Sequence, residues 1–252
     1  MVKGAITYGT PVLSLTNNLT AGGGSVSCSV SVTNTQSQHY TYTSGSSSSP
    51  NNTNLTGSAT LSINSQTFSG SATTRFSLSG STVSHSTMGT NVGTDKVVIK
   101  AVNDGDSSKS TTKEASVSNA ITQTNKSGSL ANIALSWVDE GGMDSPTIIS
   151  VNYNDTSWPI YLTCIGTYNT YNVYTSGSQA YSGTEQDYVS PAWSTPSWAS
   201  MSSKTLNGVP AYSITLTQNT GTSDRSGTIT ATSGSTTASV TIKQLCKPQE
   251  VT

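Results

Sequence analysis

The sequence predicts an all-β protein built from two β-sandwich domains in tandem, and three observations support this. Ser and Thr supply 47 and 42 of the 252 residues. Many short stretches alternate between apolar and polar side chains, which places one set on each face of a strand. Turn signals recur about every eight to twelve residues, as in sandwiches and barrels. The length corresponds to about two domains of roughly 100–150 residues each.

Composition argues against several classes of protein. Charged residues make up 9% of the chain and the formal net charge is −1, so there is no basic excess to bind nucleic acid. No run approaches the roughly 18 apolar residues of a membrane span. The first residues show no apolar targeting segment, so we expect no secretory precursor. The residues that dominate coiled coils and helical bundles are scarce.

The first domain is predicted to cover residues 1–125. Its strands are expected at 11–16, 25–32, 38–43, 58–63, 74–78, 95–102 and 113–122. A Ser-, Pro- and Asn-rich loop is expected at 44–53, and Asn103–Asp106 carries a hairpin turn signal. About seven strands in this length are typical of an immunoglobulin-like sandwich.

The second domain is predicted to cover residues 126–252, after a linker at Asn125–Ser129. Its strands are expected at 131–138, 147–153, 211–217, 226–232 and 238–244, with a turn at 139–142. A Tyr-rich stretch at about 159–191 stands between them.

The three cysteines are too few and too widely spaced for a disulfide framework. Cys28 shares a strand face with valines, which predicts a small buried hydrophobe. Cys164 and Cys246 could meet in the second domain, a question that the sequence leaves open.

The second half of the chain, over about residues 130–244, resembles the BACON family. The residues that carry the resemblance are Ile214–Thr220, Asp224–Ile229 and Val240–Gln244, preceded by Gly141–Gly142, Trp158 and either Trp193 or Trp198. BACON domains are Bacteroidetes-associated β-sandwich modules that often neighbour glycan-processing enzymes. The Tyr-rich segment at about 159–191 departs from the family pattern as a long insertion.

The first half is similar to the immunoglobulin-like domains in virion proteins of crAss-like Bacteroides phages, through the strand–glycine loop–strand stretch Leu15–Ser25. Together the resemblances imply a non-enzymatic virion accessory protein, a head fibre or capsid decoration on the capsid exterior. The first domain would anchor to capsid proteins and the second would face host or mucin glycans. A homo-oligomer is implied, a trimer by analogy. The alternative is a carbohydrate-binding module of a Bacteroidetes cell-surface glycan-uptake system.

Residues capable of catalysis or metal binding do not form a recognisable motif. His39 and His85 lack partners at metal-ligand spacing. Acidic residues cluster at Asp139, Glu140 and Asp144, at Glu185 and Asp187, and at Asp104 and Asp106. We therefore expect no enzyme, no cofactor and no metal site, although the turn acids leave calcium open.

Aromatic side chains are the remaining binding chemistry. Trp193, Tyr168, Tyr171 and Tyr174 fall in or beside the Tyr-rich segment and are predicted to contact a glycan or another protein. Trp158 and Trp198 are predicted to be core anchors instead.

Overall fold

The computed structural model describes residues 1–16, 18–138, 147–158 and 161–248, and confirms the all-β class. The described part of the chain contains no helix that could cross a membrane. The strands are β1 (Val2–Thr7), β2 (Val12–Leu15), β3 (Gly24–His39), β4 (Asn51–Gly57), β5 (Ala59–Thr67), β6 (Phe76–Ser79), β7 (Thr82–His85), β8 (Gly93–Asn103), β9 (Asp106–Asn119), β10 (Ile121–Val138), β11 (Ile148–Val151), β12 (Tyr161–Tyr174), β13 (Gln179–Tyr188), β14 (Ala192–Ser194), β15 (Ala199–Leu206), β16 (Val209–Leu216), β17 (Arg225–Ser233) and β18 (Thr236–Gln244).

The strands form two compact units, each a sandwich of two sheets. Unit 1 consists of Met1–Gln123 and Asn172–Ala180, and unit 2 of Thr124–Tyr171 and Tyr181–Thr252. Unit 1 has a six-stranded sheet, in which β1–β3–β7–β6 are joined by β2 and β4 beside β3, and a three-stranded sheet β5–β8–β9. In β8, Val97, Ile99 and Ala101 face the core while Lys96 is exposed, the alternation that the sequence predicted.

The six-stranded sheet departs from the predicted strands. The strand expected at 38–43 is wrong, because β3 ends at His39 and residues 40–48 form a turn region with one isolated β-bridge, Thr41 to Ser47. The amide N–H of Ser48 donates to the Tyr40 carbonyl at 2.8 Å, which closes this excursion. The loop expected at 44–53 ends early, since β4 begins at Asn51. Both β1 and β4 were missed, because their residues lack an alternating apolar face.

Unit 2 has a five-stranded sheet, β10–β12–β16–β15 with β13 beside β12, and a four-stranded sheet β11–β18–β17–β14. Its core draws on both sheets, for example Leu162 of β12 and Ile242 of β18. Trp158 and Trp198 pack against this core, as predicted. The turn predicted at 139–142 lies outside the described residues.

The second half differs from the predicted picture in its linker, and it builds the Tyr-rich segment into a sheet. The linker at Asn125–Ser129 lies within β10, which is continuous from Ile121 to Val138. The Tyr-rich segment is an integral part of the sandwich, because β12 lies between β10 and β16 and buries Leu162 and Cys164. The tip of the β12–β13 hairpin, Asn172–Ala180, completes unit 1.

Polar contacts hold that tip within unit 1. The Ser176 hydroxyl donates to the Gly89 carbonyl at 2.5 Å, and the Ser176 N–H donates to Asn119 Oδ1 at 2.9 Å. The Thr175 N–H donates to the Ala120 carbonyl at 2.9 Å. Unit 1 therefore includes a segment that begins at Asn172, about fifty residues after its first range ends at Gln123.

A buried ionic cluster lies in unit 1. The Asp95 side chain is fully buried and accepts from Arg75 at 2.6 Å, from the Ser69 N–H at 2.8 Å and from the Ser69 hydroxyl at 2.9 Å. His85 Nε2 lies 3.2 Å from Asp95 Oδ2. Burial raises the pKa of the Asp95 carboxyl, but the bonds from Ser69, Arg75 and His85 outweigh it and hold the pKa below its usual value.

The cysteines are free thiols. Cys28 is buried, as predicted, and Cys164 and Cys246 do not form a disulfide. Burial raises the pKa of the Cys164 thiol to about 11, and burial also raises the pKa of Cys28.

We expect Asp95→Asn to lower the free energy of unfolding of unit 1 by about 3–5 kcal/mol, because the Arg75 charge loses its buried partner. Circular dichroism during urea unfolding measures this. The matched control is Asp106→Asn, a turn acid whose replacement keeps an oxygen that can accept from Ser108, so its effect on unfolding should be much smaller. Equal effects of the two substitutions would contradict the structural role of Asp95.

The contribution of Asp95 should depend on pH. Because its folded-state pKa lies below the unfolded value of about 3.9, its stabilisation is complete above that pH and is lost as pH falls through the folded-state pKa. The difference in unfolding free energy between wild type and Asp95→Asn should therefore shrink as the pH falls below about 4. A difference that stays constant over this range would show that the carboxylate charge is irrelevant.

Alkylation of the native protein should modify Cys246 first and Cys164 last. Only the thiolate reacts, and Cys164 is buried with a raised pKa, whereas Cys246 is partly exposed. Timed iodoacetamide labelling followed by peptide mass spectrometry measures the order. Labelling of Cys164 at the rate of Cys246 would contradict the described core.

Candidate functional site

The best-formed polar and aromatic cluster on unit 2 lies on the sheet surface of β10, β12 and β13. The Lys126 ammonium of β10 lies 4.9 Å from the ring centroid of Tyr168 on β12. Two carboxylates of β13 bind the same ammonium, Glu185 at 3.2 Å and Asp187 at closer range. Asp187, followed by Glu185, raises the pKa of Lys126. The lysine is therefore held as a cation beside the tyrosine ring.

Tyr168 also lines a concavity of about 340 Å³. The rest of the lining is Gly128, Ser129 and Leu130 of β10 and Ser233, Gly234 and Ser235 at the β17–β18 turn. Small side chains leave room beside the ring, and the serine hydroxyls can donate or accept hydrogen bonds. An apolar ring surrounded by a few polar groups is the usual form of a small-ligand site.

A second, shallower concavity of about 290 Å³ includes Asp187 of the same cluster. Ile165, Gln186 and Tyr188 complete its lining. Tyr188 is 42% exposed. The charged cluster thus contributes to two neighbouring depressions of unit 2.

The structure separates the four predicted contact residues. Tyr168 lies in the cluster, and Tyr171 makes an edge-to-face contact with Tyr181, with centroids 6.1 Å apart. Tyr181 is 61% exposed, so this pair adds aromatic surface to the hairpin. Tyr174 belongs to unit 1, where it begins the tight turn closed by the Gly177 N–H at 2.9 Å.

Trp193 is placed differently from the tyrosines. It is half-buried against the core of unit 2, and its ring lies 5.0 Å from that of Tyr212. Its indole N–H is buried and has no hydrogen-bond partner among the residues that the structure describes. Trp193 therefore contributes mainly to packing, and the candidate surface rests on the tyrosines.

Other acidic residues and both histidines have local structural roles. Hydrogen bonds from Ser58 and then Thr60, at the start of β5, lower the pKa of the Asp104 carboxyl. Asp106 accepts from the Ser108 hydroxyl and N–H within its own turn, and these bonds lower its pKa. His39 ends β3. Among the described residues, no group of three His, Cys, Asp or Glu side chains could hold a metal ion. Asp139, Glu140 and Asp144 lie outside the described residues.

Three of the residues that carry the BACON resemblance, Arg225, Gln244 and Trp198, form a clamp. Arg225 Nε donates to Gln244 Oε1 at 2.9 Å, and its guanidinium lies 4.5 Å from the ring centroid of Trp198. Gln244 is fully buried and donates to the carbonyls of Tyr153 at 3.2 Å and Asp155 at 3.1 Å. These motif residues tie β17 and β18 to the segment after β11, so they stabilise the sandwich and leave ligand contact to other side chains.

Sequence reasoning identified Tyr168 and the Glu185–Asp187 pair but missed Lys126 and the serines. Lys126 was assigned to a linker, and the pairing of β10 with β12 places it beside Tyr168. Ser233–Ser235 lies more than sixty positions from Tyr168 in the sequence, so no local pattern could have joined them.

The comparisons with known proteins support the assignment of the chain's end. The model of the BACON family, described as "Putative binding domain, N-terminal", matches residues 188–245. The match runs from the last residue of β13 through β18 and includes the clamp. The predicted BACON-like character is therefore confirmed over this stretch, which leaves out the first part of unit 2.

Solved structures give weaker likenesses. Domains 5–6 of the S-layer protein SbsC share 15% identity at a TM-score of 0.26, with 95% of this chain and 100% of that one covered. Domains 4–9 of SbsC share 13% sequence identity at a TM-score of 0.25. The match covers 96% of this chain and 32% of that one. An endo-fucoidan hydrolase of glycoside hydrolase family 107 shares 9% sequence identity at a TM-score of 0.21. The match covers 97% of this chain and 39% of that one. Likeness at these scores does not establish a common fold. No curated protein matches the chain significantly.

Gln244→Leu should lower the free energy of unfolding of unit 2 by about 3 kcal/mol, because each buried polar partner left unsatisfied costs about 1–3 kcal/mol. Tryptophan fluorescence during urea unfolding reports on this unit, since all four tryptophans belong to it. The control is Gln218→Leu at an exposed position. A loss below about 1 kcal/mol for Gln244→Leu would show that the clamp is not a main support of the unit.

Proposed function

We propose that this chain is a non-enzymatic adhesion protein whose BACON-like unit contacts glycans through the surface around Tyr168. The main support for this proposal is the ring of Tyr168, which lies beside the Lys126 ammonium and its two carboxylate partners and lines a concavity of about 340 Å³ with three serines. The match of residues 188–245 to a family described as a binding domain supports a binding role.

The chemistry of this surface suits a sugar. A pyranose ring presents C–H groups that pack on an aromatic face, while its hydroxyls need both donors and acceptors. Tyr168 offers the face, Lys126 and the serines offer donors, and Glu185 and Asp187 offer acceptors. Lys126 contributes one positive charge and the two acids contribute two negative charges, so the cluster has a net charge of −1 and favours neutral sugars over anionic ones.

A binding role without catalysis agrees with how the acidic groups are used. Glu185 and Asp187 share the Lys126 ammonium on an exposed surface instead of flanking a cleft. A glycosidase needs one carboxyl kept protonated and a second one ionised across the scissile bond. The exposed sheet surface offers neither the enclosure nor the contrast in environment that this requires.

The setting we propose is the exterior of a phage particle, as a head fibre or capsid decoration with unit 1 as the anchor to capsid proteins. The similarity of the first half to virion domains suggests this, and self-association into an oligomer is part of the proposal. The alternative setting is a Bacteroidetes cell surface, in a glycan-uptake system. Neighbouring genes for capsid and portal proteins would support the first, and genes for outer-membrane transporters the second.

Tyr168→Ala should weaken binding of mucin oligosaccharides about tenfold, since the lost aromatic contact corresponds to about 1.4 kcal/mol. Isothermal titration calorimetry with a defined neutral mucin O-glycan measures the change in Kd. The matched control is Tyr161→Ala. Tyr161 lies on the same strand and has a lysine, Lys204, 5.0 Å from its ring centroid, outside the concavity.

Two results would contradict the glycan proposal. In one, the wild-type protein releases no heat and shows no melting shift with neutral or sialylated mucin oligosaccharides. In the other, Tyr161→Ala weakens binding as much as Tyr168→Ala does. A selective loss at Tyr168 would place the glycan on the proposed surface.

A further inference from the structure

Strand β4 is an unprotected sheet edge. It pairs with β3 along one side through seven consecutive residues, from Asn51 opposite Gln38 to Gly57 opposite Val32, without a bulge. No other strand pairs with β4 among the described residues. Alternate N–H and C=O groups of such a strand point away from its partner, ready to accept another strand.

The other edge strands among the described residues carry features that discourage pairing. Four of them, β2, β6, β11 and β14, have four residues or fewer. Register irregularities interrupt β1 and β5. Charged residues lie on β9, β10, β13 and β15. Short length, bulges and charges are the usual protections of natural edges.

The residues of β4 carry no such protection. The strand reads Asn-Asn-Thr-Asn-Leu-Thr-Gly, with no charge and no proline. The chain has no acidic residue before Asp95, and Lys3 and Arg75 are its only lysine or arginine residues up to that point. Residues 51–54 and Thr56 are exposed. Pairing of this edge would therefore meet no like-charge repulsion within the strand.

We propose that β4 is a self-association surface, which pairs antiparallel with β4 of a second copy of this chain about a two-fold axis at Asn54. That register uses all seven residues, with Asn54 facing its own copy, Thr53 facing Leu55, Asn52 facing Thr56 and Asn51 facing Gly57. A two-fold contact of this kind is closed and self-complementary. It joins β1–β3–β4 of both copies into one continuous sheet.

The side chains fit this pairing. The facing pairs are amide with amide, hydroxyl with apolar side chain and amide with hydroxyl, and none places a charge in the contact. An uncharged, proline-free strand lacks two of the usual barriers to strand-to-strand association. The proposal is independent of the glycan surface, and it specifies a dimer in place of the trimer that the phage resemblance implies.

Analytical ultracentrifugation of the full chain and its variants tests the proposal. At about 100 µM, where an association with micromolar Kd is nearly complete, the wild type should sediment as a dimer of the 26.0 kDa chain. Asn54→Lys and Asn54→Asp should each sediment as monomers, because each places two like charges opposite one another. An equal mixture of the two variants should restore the dimer through opposite charges.

Matched measurements keep folding and glycan binding separate from assembly. Ser107→Lys, at an exposed position of the already charged edge strand β9, should remain a dimer. At protein concentrations well below the dimer Kd, the thermal unfolding of Asn54→Lys should match the wild type, since Asn54 is exposed. A wild-type monomer, a trimer, or a dimer that both Asn54 variants retain would overturn the proposal. None of these results would alter the Tyr168 calorimetry, so the two proposals can fail separately.

Discussion

The alternation of small apolar side chains with hydroxyl side chains is the constraint on which the rest of this structure depends. A chain with 32% hydrophobic residues can bury enough of them only if each strand turns nearly all of its apolar groups to one face. β18 shows the result, with Val240 and Ile242 in the core and Thr241 between them less buried. Serine and threonine then cover the outer faces, where they bond to water or to their neighbours.

Few apolar side chains remain beyond those in the two cores. Buried polar clusters stabilise the regions that apolar packing does not. Asp95 gathers Arg75, His85 and Ser69 around one buried carboxylate in unit 1. Gln244 does the same in unit 2 with Arg225 and two backbone carbonyls. In each cluster, the buried polar groups form hydrogen bonds with one another or with the backbone. Such networks specify one arrangement of the surrounding core. The motif residues of the BACON resemblance belong to this structural class.

The two surfaces proposed to bind other molecules contain neither fully buried apolar residues nor the buried polar clusters. The Tyr168 surface and the β4 edge both present hydroxyl and amide groups on exposed or half-buried strands. One adds an aromatic ring and fixed charges, which suits a ligand with many hydroxyls. The other adds unpaired backbone groups without charge, which suits another strand. The same composition therefore accounts for two different kinds of interaction.

The sequence predicted those strands whose own side chains alternate, such as β8, β17 and β18. It failed where tertiary pairing decides. Residues 125–129 contain turn-forming types, yet pairing with β12 holds them in β10, and polar β4 is held by β3. In the opposite sense, Tyr40 and Tyr42 alternate as in a strand but lie in turns. Tyr168 was identified from its aromatic class, whereas Lys126 beside it depends on strand register, which no local pattern contains.

The central claim, that glycans bind at Tyr168, can be tested most directly by NMR of the tyrosine rings. In protein labelled with ¹³C-tyrosine, a neutral mucin oligosaccharide should shift the ring resonances of Tyr168, with smaller changes at Tyr171 and Tyr181 of the same hairpin. The rings of Tyr161 and Tyr40 should not move. Shifts confined to tyrosines outside the β12–β13 hairpin, or no shifts at saturating oligosaccharide, would contradict the account.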